Sequence, residues 1–342
     1  MINICDLTLE ELKELLRKRG QEAFHAQQVF SWIYKKAATD FEMMSDLSSG
    51  LRKQLKEDFY LLSLKPVKLD KSLDGTEKSL LELKDASLIE TVLIPAENRI
   101  TGCVSTQVGC KFNCGFCASG VSGFKRNLAS GEIVEEALYL KNRSQGGKLT
   151  HLVFMGMGEP LDNCENVIKA IRIINSPEAL RIGARRITIS TCGLIPGIKR
   201  LSDEGLQVEL SISLHAADDQ TRSQIMPVNK KYPVKELIKA CAEYIKKTNR
   251  QVTFEYILIN GINSDLRSAA RLSDILNGLN CKVNLIPSNP IKELGMEPPS
   301  KLAILLFRDY LLKQGVNVTL RKPRGRDIEA ACGQLRLRYG KK

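Results

Sequence analysis

Three cysteines lie close together in the segment GCKFNCGFCASG, which spans residues 109–120. Cys110, Cys114 and Cys117 are too closely spaced for ordinary packing, and they are one ligand short of a closed tetrahedral zinc site. An iron–sulfur cube prefers thiolate ligands and contains four irons, so three cysteines would leave one iron open to another molecule. Structural zinc is the alternative, with Cys103 or His215 as the fourth ligand. The spacing predicts a 4Fe–4S cluster with one vacant position.

The cysteines follow the first of several β-rich runs that begin near residue 100. Runs such as THLVFMGMGEP, RRITISTCG and QVELSISLHA alternate with helix-like stretches such as VKELIKACAEYIKK. About six such units predict an α/β fold whose parallel sheet closes into a partial or complete (β/α) barrel. Small and polar residues end the runs, where the carboxyl ends of barrel strands build active sites. The pattern therefore predicts one shared cleft.

The part of the chain before residue 101 lacks this regular alternation of strand and helix patterns. Residues 1–65 are predicted to be a helical module, because LTLEELKELLRKRG combines a Thr8 cap and Glu11 with helical apolar spacing. Its core is expected to contain four aromatic side chains, namely Phe24, Phe30, Trp32 and Tyr34. Residues 66–100 read as a β-hairpin linker that turns at Asp74-Gly75 and ends in a strand containing Glu90. Residues 101–342 would then form the barrel and a basic C-terminal segment.

Composition limits the partners and the compartment. The 342 residues include 43% hydrophobic residues and carry a net charge of +12, which favours a polyanionic partner such as nucleic acid. The tail from Arg321 to Lys342 holds eight basic and two acidic side chains. We find no apolar run long enough to cross a membrane and no signal peptide, so we expect a cytoplasmic protein with reduced cysteines.

Several segments together resemble the RlmN-type RNA adenine methyltransferases. They are CVSTQVGCKFNCGFCASGVSGFKRNL, FMGMGEPL, ITISTCGLIPGI, ISLHA, VNLIPSNP and RKPRGRDIEAACGQL, in that order. The cysteine motif, with Phe116 before its third cysteine, resembles that of radical S-adenosylmethionine (SAM) enzymes. The resemblance implies a radical SAM partial (β/α)6 barrel with a small N-terminal helical domain. It also implies that SAM binds the open iron.

The resemblance further implies a reaction at C2 of adenosine in 23S ribosomal RNA, and in transfer RNA as well. This carbon lies between two ring nitrogens and is too electron-poor to attack a methyl group, whereas a carbon radical can add to it. In the family's reaction, Cys332 takes a methyl group from one SAM, and a 5′-deoxyadenosyl radical from a second SAM removes a hydrogen from that methyl group. Cys103 then resolves the protein–RNA thioether and leaves a transient Cys103–Cys332 disulfide. Glu90 matches an acid proposed as the proton acceptor.

The family pattern also assigns the cofactor site and the partners. The matching SAM contacts are Gly158, Glu159, Ser190, Ser213, Leu214, His215 and Asn289. A flavodoxin is the family's usual electron donor, and a monomer that does not bind membranes is expected. Arg126 and Arg324 are candidate RNA contacts, and Arg324, Arg326 and Arg336 could lower the pKa of Cys332.

Three other interpretations remain open at this point. The related Cfr-type enzymes methylate C8 of the same ribosomal adenosine. A radical SAM enzyme could instead act on a small molecule or a protein. A zinc-stabilised, non-enzymatic RNA-binding protein is a candidate of another class.

The five cysteines outside the motifs are interpreted as small buried side chains. They are Cys5, Cys164, Cys192, Cys241 and Cys281.

Overall fold

Helices dominate residues 1–60, and the barrel sheet begins with the strand at Lys65. A computed structural model describes residues 1–121, 123–288, 296–321 and 324–328. The first helix begins at Thr8, whose hydroxyl accepts the Glu11 N–H at 3.2 Å while the Glu11 carboxylate accepts the Thr8 N–H at 2.7 Å. The elements of the module are β1 (Ile2–Asn3), α1 (Leu9–Lys18), α2 (Phe24–Phe30), α3 (Ser49–Asp58) and β2 (Phe59–Tyr60). β1 and β2 pair in parallel and bring the two ends of the module together.

The module buries most of its predicted aromatic core. Phe30 and Tyr34 are fully buried, and Trp32 is half-buried with its indole N–H on Asp46 Oδ1 at 2.5 Å. The prediction for Phe24 is wrong, since 53% of this residue is exposed at the first turn of α2. Apolar spacing identifies the helix but does not distinguish the edge of its buried stripe from the centre.

One ten-stranded sheet carries the rest of the fold. Its order is β14-β13-β12-β11-β10-β9-β6-β5-β4-β3, parallel from β6 to β14 and antiparallel from β3 to β6. The strands are β3 (Lys65–Lys71), β4 (Glu77–Glu82), β5 (Leu88–Ala96), β6 (Arg99–Cys103), β9 (His151–Phe154), β10 (Ile187–Thr191), β11 (Glu209–Ser213), β12 (Val252–Leu258), β13 (Cys281–Pro287) and β14 (Val318–Leu320). A small separate hairpin consists of β7 (Gln107–Gly109) and β8 (Phe124–Asn127).

Helices follow six of the parallel strands and cover the outer face of the sheet. They are α5 (Ser130–Arg143), α6 (Cys164–Asn175), α7 (Ile195–Asp203), α8 (Asp219–Ile225), α9 (Val234–Thr248), α10 (Leu266–Leu276) and α11 (Lys301–Lys313), and a short α4 (Ala118–Val121) follows the cysteines. Six strand–helix units in this order confirm the expected α/β partial (β/α)6 barrel with a small helical N-terminal domain. None of the helices in the described parts of the chain is long and apolar enough to cross a membrane.

The predicted hairpin around Asp74-Gly75 extends the barrel sheet. Gly75 turns with φ of +83°, and a Cβ atom there would lie 3.1 Å from Pro95. β5 pairs with β6, so the antiparallel strands continue the sheet without a break.

The strand register determines which side chains face the interior of the barrel. Residues directly opposite across a ladder share a face of the sheet. Cys103 pairs with Val153, and Val153 pairs with Thr188. Val153 and Thr188 border a cavity of about 850 Å³. Other inward-facing residues also line it, namely Thr101, Ser211, Thr253, Glu255 and Asn284. The cavity is the lumen of the barrel.

Two clusters of polar contacts at α5 are among those that join the helical module to the barrel. Glu135 of α5 accepts hydrogen bonds from Asn3 Nδ2 at 2.6 Å and from the N–H groups of Ser63 and Leu64 at 2.7 and 3.1 Å. Asp6 accepts the Gly131 N–H at 2.5 Å, where a Cβ on Gly131 would lie 2.8 Å from the Asp6 nitrogen. The start of α5 is therefore fitted closely to the module.

The chain after β14 crosses to the β3–β4 turn. Asp74 Oδ2 accepts the Gly325 N–H at 3.0 Å. The Asp327 carboxylate accepts the Ser72 hydroxyl at 2.6 Å and the Leu73 N–H at 3.0 Å. We call residues 324–328 the C-terminal strap. Its contacts tie the chain just before Cys332 to the far edge of the sheet.

Candidate active site

The three motif cysteines lie in a loop stabilised by its own backbone. Cys110 donates its N–H to Gly123 O at 3.1 Å, and Cys117 donates its N–H to Cys114 O at 3.0 Å. Asn113 adopts a left-handed conformation with φ of +49°. A Cβ on Gly120 would lie 2.9 Å from Asn113 Cα, so glycine allows this close approach. The loop holds three thiols on one short stretch of backbone.

Burial makes the thiols of Cys110 and Cys114 poor acids on their own. Burial is the largest cause that raises the pKa of Cys110 to about 12, and the pKa of Cys114 is also raised well above its usual range by burial. The neighbouring thiols, including Cys117, raise both pKa values further. Thiols that repel one another's charge fit a metal centre, because the positive charge of iron compensates them. Among the described residues, no three His, Cys, Asp or Glu side chains converge closely enough to hold a single metal ion. A cube uses one thiolate for each iron, so the three donors fit a 4Fe–4S cluster.

Glu159 is buried in the loop after β9, and both of its carboxylate oxygens accept hydrogen bonds. Oε1 accepts the Leu161 N–H at 3.0 Å, and Oε2 accepts the Cys192 N–H at 2.7 Å. Burial raises the pKa of Glu159, and the hydrogen bonds from Cys192 and Leu161 oppose that rise. The carboxyl group therefore fixes the β10 end beside the cysteine loop.

Gly158 permits a backbone approach that no other residue would allow. Its φ is +96°, and a Cβ would lie 2.5 Å from Gln107 Cβ. Gln107 accepts the Glu159 N–H at 2.9 Å and donates its amide N–H to Asn127 and Asp162, both at 2.8 Å. The sequence singled out Gly158 and Glu159 but missed Gln107, which looks like an ordinary strand residue.

His215 is fully buried and neutral. Burial lowers the pKa of His215 to about 3, and the nearby Arg222 adds to the decrease. Nδ1 accepts the Ile257 N–H at 3.0 Å, so the proton of the neutral ring is on Nε2. The ring packs edge-on against Phe116, with 4.6 Å between centroids. His215 thus links the cysteine loop to β11 and β12.

The other predicted SAM contacts lie at neighbouring strand ends. Ser190 pairs with Ser211, and Ser213 pairs with Glu255, so both serines belong to interior-facing rows. The Leu214 N–H donates to Glu255 O at 3.1 Å. The barrel therefore brings these residues to the carboxyl ends of its strands, the same end as the cysteine loop. Asn289 lies outside the described residues.

Cys103 and Glu90 lie on adjacent strands. Cys103 of β6 is 8% exposed, and its carbonyl accepts the Thr91 hydroxyl at 2.7 Å. Glu90 of β5 is 4% exposed, and its carbonyl accepts the Ser105 hydroxyl at 2.6 Å. Cys103 pairs with Val92, two residues along β5 from Glu90, so Cys103 and Glu90 face the same side of the sheet. Cys332 lies outside the described residues, as does Arg336.

The cysteines without a motif differ in burial. Cys5, Cys192 and Cys241 are buried, whereas Cys164 and Cys281 are half-buried. The backbone of Cys192 contacts both Glu159 and Arg222. Its thiol also hydrogen-bonds Glu159, so both the main chain and the side chain of Cys192 belong to the site.

The two candidate RNA contacts differ in their surroundings. Arg126 donates to both oxygens of Glu132 at 2.7 and 2.8 Å and to Asp85 at 3.0 Å, so it is engaged in ion pairs. Arg324 is exposed and borders the lumen with other cations. Six lumen cations have no salt-bridge partner within the described part of the chain, namely Arg99, Arg185, Arg186, Lys282, Arg321 and Arg324. Arg99, Arg185, Arg186 and Lys282 begin or precede strands, so they lie at the amino end of the barrel, opposite the cysteine loop, whereas Arg321 and Arg324 follow the carboxyl end of β14.

Comparison with known proteins agrees with this arrangement. Residues 2–61 match the family described as the ribosomal RNA large subunit methyltransferase N-terminal domain, and residues 104–272 match the radical SAM superfamily. The chain is 46% identical over 340 residues to a probable dual-specificity RNA methyltransferase RlmN of Caldanaerobacter subterraneus, covering 99% of each chain. It is 47% identical over 339 residues to the protein of that name from Thermotoga neapolitana, covering 99% and 98%.

A solved structure shows the same fold. A radical SAM methyltransferase from Sphaerobacter thermophilus superposes with a TM-score of 0.94 at 44% identity, covering 98% of this chain and 99% of that one. The similarity spans the helical module, the barrel and the cysteine loop. The chain belongs to the RlmN family of the radical SAM superfamily.

Proposed function

We propose that this protein methylates C2 of an adenosine in 23S ribosomal RNA and in transfer RNA, with Cys332 as the methyl carrier. As a member of its family, the chain is a SAM-dependent RNA methyltransferase that uses a 4Fe–4S cluster and SAM. The observation that carries the finer proposal is the position of Cys103. Its strand register turns it toward the barrel interior, on the face of the sheet that also carries the predicted SAM contacts.

Each part of the site has its own task in this proposal. Cys110, Cys114 and Cys117 would hold the cluster, and the ends of β9, β10 and β11 would hold SAM. When bound, these groups supply the radical chemistry that an electron-poor aromatic carbon requires. Glu159 hydrogen-bonds the backbone that follows β9 to the backbone that follows β10. His215 is neutral and adds no charge to the site. The chain thereby keeps the site rigid before the RNA arrives.

Two thiols and one acid would act on the methyl group and the base. Cys332 carries the methyl group as a thioether, which suits a soft nucleophile. Cys103 releases the product from Cys332 and leaves a disulfide between them, and Glu90 accepts a proton from the ring carbon. Glu90 is buried on the same face as Cys103, which supports this role. An external thiol donor would restore both thiols.

RNA would bind through the basic surfaces and the helical module. Arg321 and Arg324, which follow the carboxyl end of β14, have no salt-bridge partner among the described residues, and cations of this kind bind phosphates in a salt-dependent way. The target base must leave its stack to reach a buried thiol. A flavodoxin-type donor and a monomeric state complete the proposal.

The test is the mass of the tryptic peptide Asp327–Arg336, which contains Cys332 and no other cysteine. In protein purified with an intact cluster we expect this peptide to be one methyl group heavier. The increase should disappear in Cys332→Ala. A peptide that stays unmodified after incubation with SAM would refute the assignment of Cys332. Digestion of the RNA product to nucleosides then distinguishes C2 from C8, and 8-methyladenosine would contradict the C2 assignment.

A further inference from the structure

Arg222 is the largest fully buried side chain in the described residues, and it lies behind the cysteine loop. It belongs to α8, whose last residue, Ile225, accepts the Gly115 N–H at 2.8 Å. Gly115 lies between Cys114 and Phe116. The helix that carries Arg222 is thus hydrogen-bonded directly to the loop that carries the cysteines.

The guanidinium group of Arg222 donates to neutral acceptors. Nε donates to Leu214 O at 3.0 Å, and Nη2 donates to Cys192 O at 2.7 Å and Ser213 O at 3.2 Å. Nη1 donates to Asn229 Oδ1 at 3.0 Å. These carbonyl groups belong to the ends of β10 and β11. Arg222 therefore holds together the two strand ends that carry the predicted SAM contacts.

Arg222 and Glu159 both hydrogen-bond the backbone of Cys192, one at its carbonyl and the other at its N–H. The Cys192 N–H donates to Glu159, and the Cys192 carbonyl accepts from Arg222. Gly193 has φ of +104°, and a Cβ there would lie 3.2 Å from Arg222 Nη2, so the backbone bends closely around the guanidinium group. Removing Arg222 would leave several buried carbonyl groups without a donor.

The charge of Arg222 has no carboxylate partner at salt-bridge distance within the described residues. The nearest acid on its helix, Asp219, instead accepts hydrogen bonds from Asn229 Nδ2 at 3.0 Å and the Val234 N–H at 2.8 Å. A buried charge without a partner is costly, and proteins normally pair it. Burial lowers the pKa of Arg222, whereas the thiols of Cys192 and Cys114 raise it. When the loop holds its cluster, the ligating thiolates would supply the compensating negative charge that protonated thiols do not.

We infer that Arg222 is a positioning residue with two effects: it orders the SAM-binding ends of β10 and β11, and its buried positive charge makes the cluster easier to reduce. The inference rests on the proposed cluster and SAM site. Reduction adds one electron from a low-potential donor, such as a flavodoxin or dithionite, and makes the cluster more negative. A fixed positive charge behind the loop stabilises that reduced form.

Three variants separate charge from hydrogen bonding. Arg222→Gln removes the charge and keeps one donor group, whereas Arg222→Lys keeps the charge but cannot reach all the acceptors. Arg143→Gln is the control, because Arg143 lies on the outer helix α5 and pairs with Glu77 at 2.8 Å. All three are prepared as full-length protein with the cluster reconstituted.

The first measurement is an EPR-monitored redox titration of the cluster. At a fixed potential we expect Arg222→Gln to lower the ratio of reduced to oxidised cluster about tenfold, which is about 59 mV for one electron. Arg222→Lys and Arg143→Gln should titrate like the unmodified protein. An unchanged potential in Arg222→Gln would overturn the electrostatic effect. If that variant does not retain a cluster, Arg222→Met is the second neutral variant.

The second measurement is the affinity for SAM of the oxidised, cluster-loaded protein. Both Arg222→Gln and Arg222→Lys should bind SAM about tenfold more weakly, because both lose bonds to the strand ends. Wild-type affinity in Arg222→Lys would overturn the positioning effect, and this variant decides that point even if the neutral variants do not fold. Methylation of Cys332 in the unmodified protein tests the proposed function separately, so the failure of one proposal is distinguishable from the failure of the other.

Discussion

At the scale of single residues, the site depends on side chains that are held in one protonation state. His215 has a pKa near 3 because it is buried and close to Arg222. Its Nδ1 accepts a backbone N–H, so protonation would break that hydrogen bond as well. The folded protein therefore excludes the imidazolium form over the whole physiological range.

This gives a prediction for stability against pH. An unfolded His215 binds a proton near its ordinary pKa of 6.5, whereas the folded protein does not bind one until about pH 3. The folded state should therefore lose up to about 1.4 kcal/mol per pH unit as pH falls through that window. We expect His215→Gln to show a flatter profile in urea unfolding between pH 7.5 and 5, measured on cluster-free protein.

His25→Gln is the matched control, because half-buried His25 lies on α2 in the helical module and its Nδ1 contacts Gln28 Oε1 at 2.7 Å. It should leave the slope of the wild-type profile unchanged. Equal slopes in wild type and His215→Gln would show that His215 takes up its proton over the same pH range in the folded and unfolded states. That result would contradict its assignment as a ring that stays neutral in the folded protein.

Sequence alone predicted the residues with a local signature. The spacing of the three cysteines and the glycine before Glu159 are visible because a short loop and a close backbone approach limit the choice of residue. Gln107 and Arg222 have no such signature. A strand glutamine and a helical arginine usually face solvent, and only the tertiary packing buries these two beside the site.

At the scale of elements, the C-terminal strap ties the chain that leads to Cys332, the proposed methyl carrier, to the β3–β4 turn. Its contacts are three hydrogen bonds to two carboxylates, Asp74 and Asp327. Hydrogen bonds from Gly325 and Thr76 hold the pKa of Asp74 far below its usual range despite some burial, and the Ser72 hydroxyl lowers that of Asp327. Both carboxylates therefore stay ionised at neutral pH and remain strong acceptors.

We expect Asp327→Asn to loosen the strap. The amide replaces one acceptor oxygen with a donor that faces the Ser72 hydroxyl or the Leu73 N–H. Trypsin should then cleave after Arg324 or Arg326 severalfold faster, because cleavage requires local opening. Mass spectrometry of a time course measures the rate, and Asp274→Asn, at an exposed site on α10, is the control. Unchanged cleavage would mean that these bonds do not hold the strap.

The strand–helix units were predictable, because apolar runs alternate regularly with helical periods. The strap was not, because its contacts join residues about 250 positions apart through backbone N–H groups that carry no side-chain signal. The exposure of Phe24 was missed for a related reason. Helical spacing alone does not show where the neighbouring element ends.

At the scale of the whole molecule, the helical module is held on the barrel by Glu135. This carboxylate satisfies donors from Asn3, Ser63 and Leu64, although burial raises its pKa. The surface pair of Lys35 with Glu178, at 3.2 Å, also joins the two parts, but its exposure makes it weak. Asp6, which accepts the Ser130 hydroxyl at 2.9 Å and the Gly131 N–H, and Lys141, which donates to Tyr34 O, attach the module as well.

We therefore expect Glu135→Ala to separate the two functions of the protein. Unsatisfied donors should cost about 3 kcal/mol of attachment and leave the module loosely held. Methylation of RNA should fall at least tenfold, whereas methylation of Cys332 should continue, because the cysteine site lies wholly in the barrel and the chain after it. Glu178→Ala is the matched control and should retain both activities. Loss of both in Glu135→Ala would show that the module supports the fold of the barrel.

The unbroken sheet limits how this protein can be recombined with its relatives. Hydrogen bonds run from β3 through β6 to β14, so a crossover within residues 65–103 would join strands from two parents along one ladder. A crossover between β2 and β3, at residues 61–64, would leave every pair of that sheet within one parent. The neighbours of Glu135 and the other contacts of the module with α5, such as that of Asp6 with Gly131, would then need to match. Chimeras that exchange the helical module should be viable, and the RNA preference of each parent should be transferable with it.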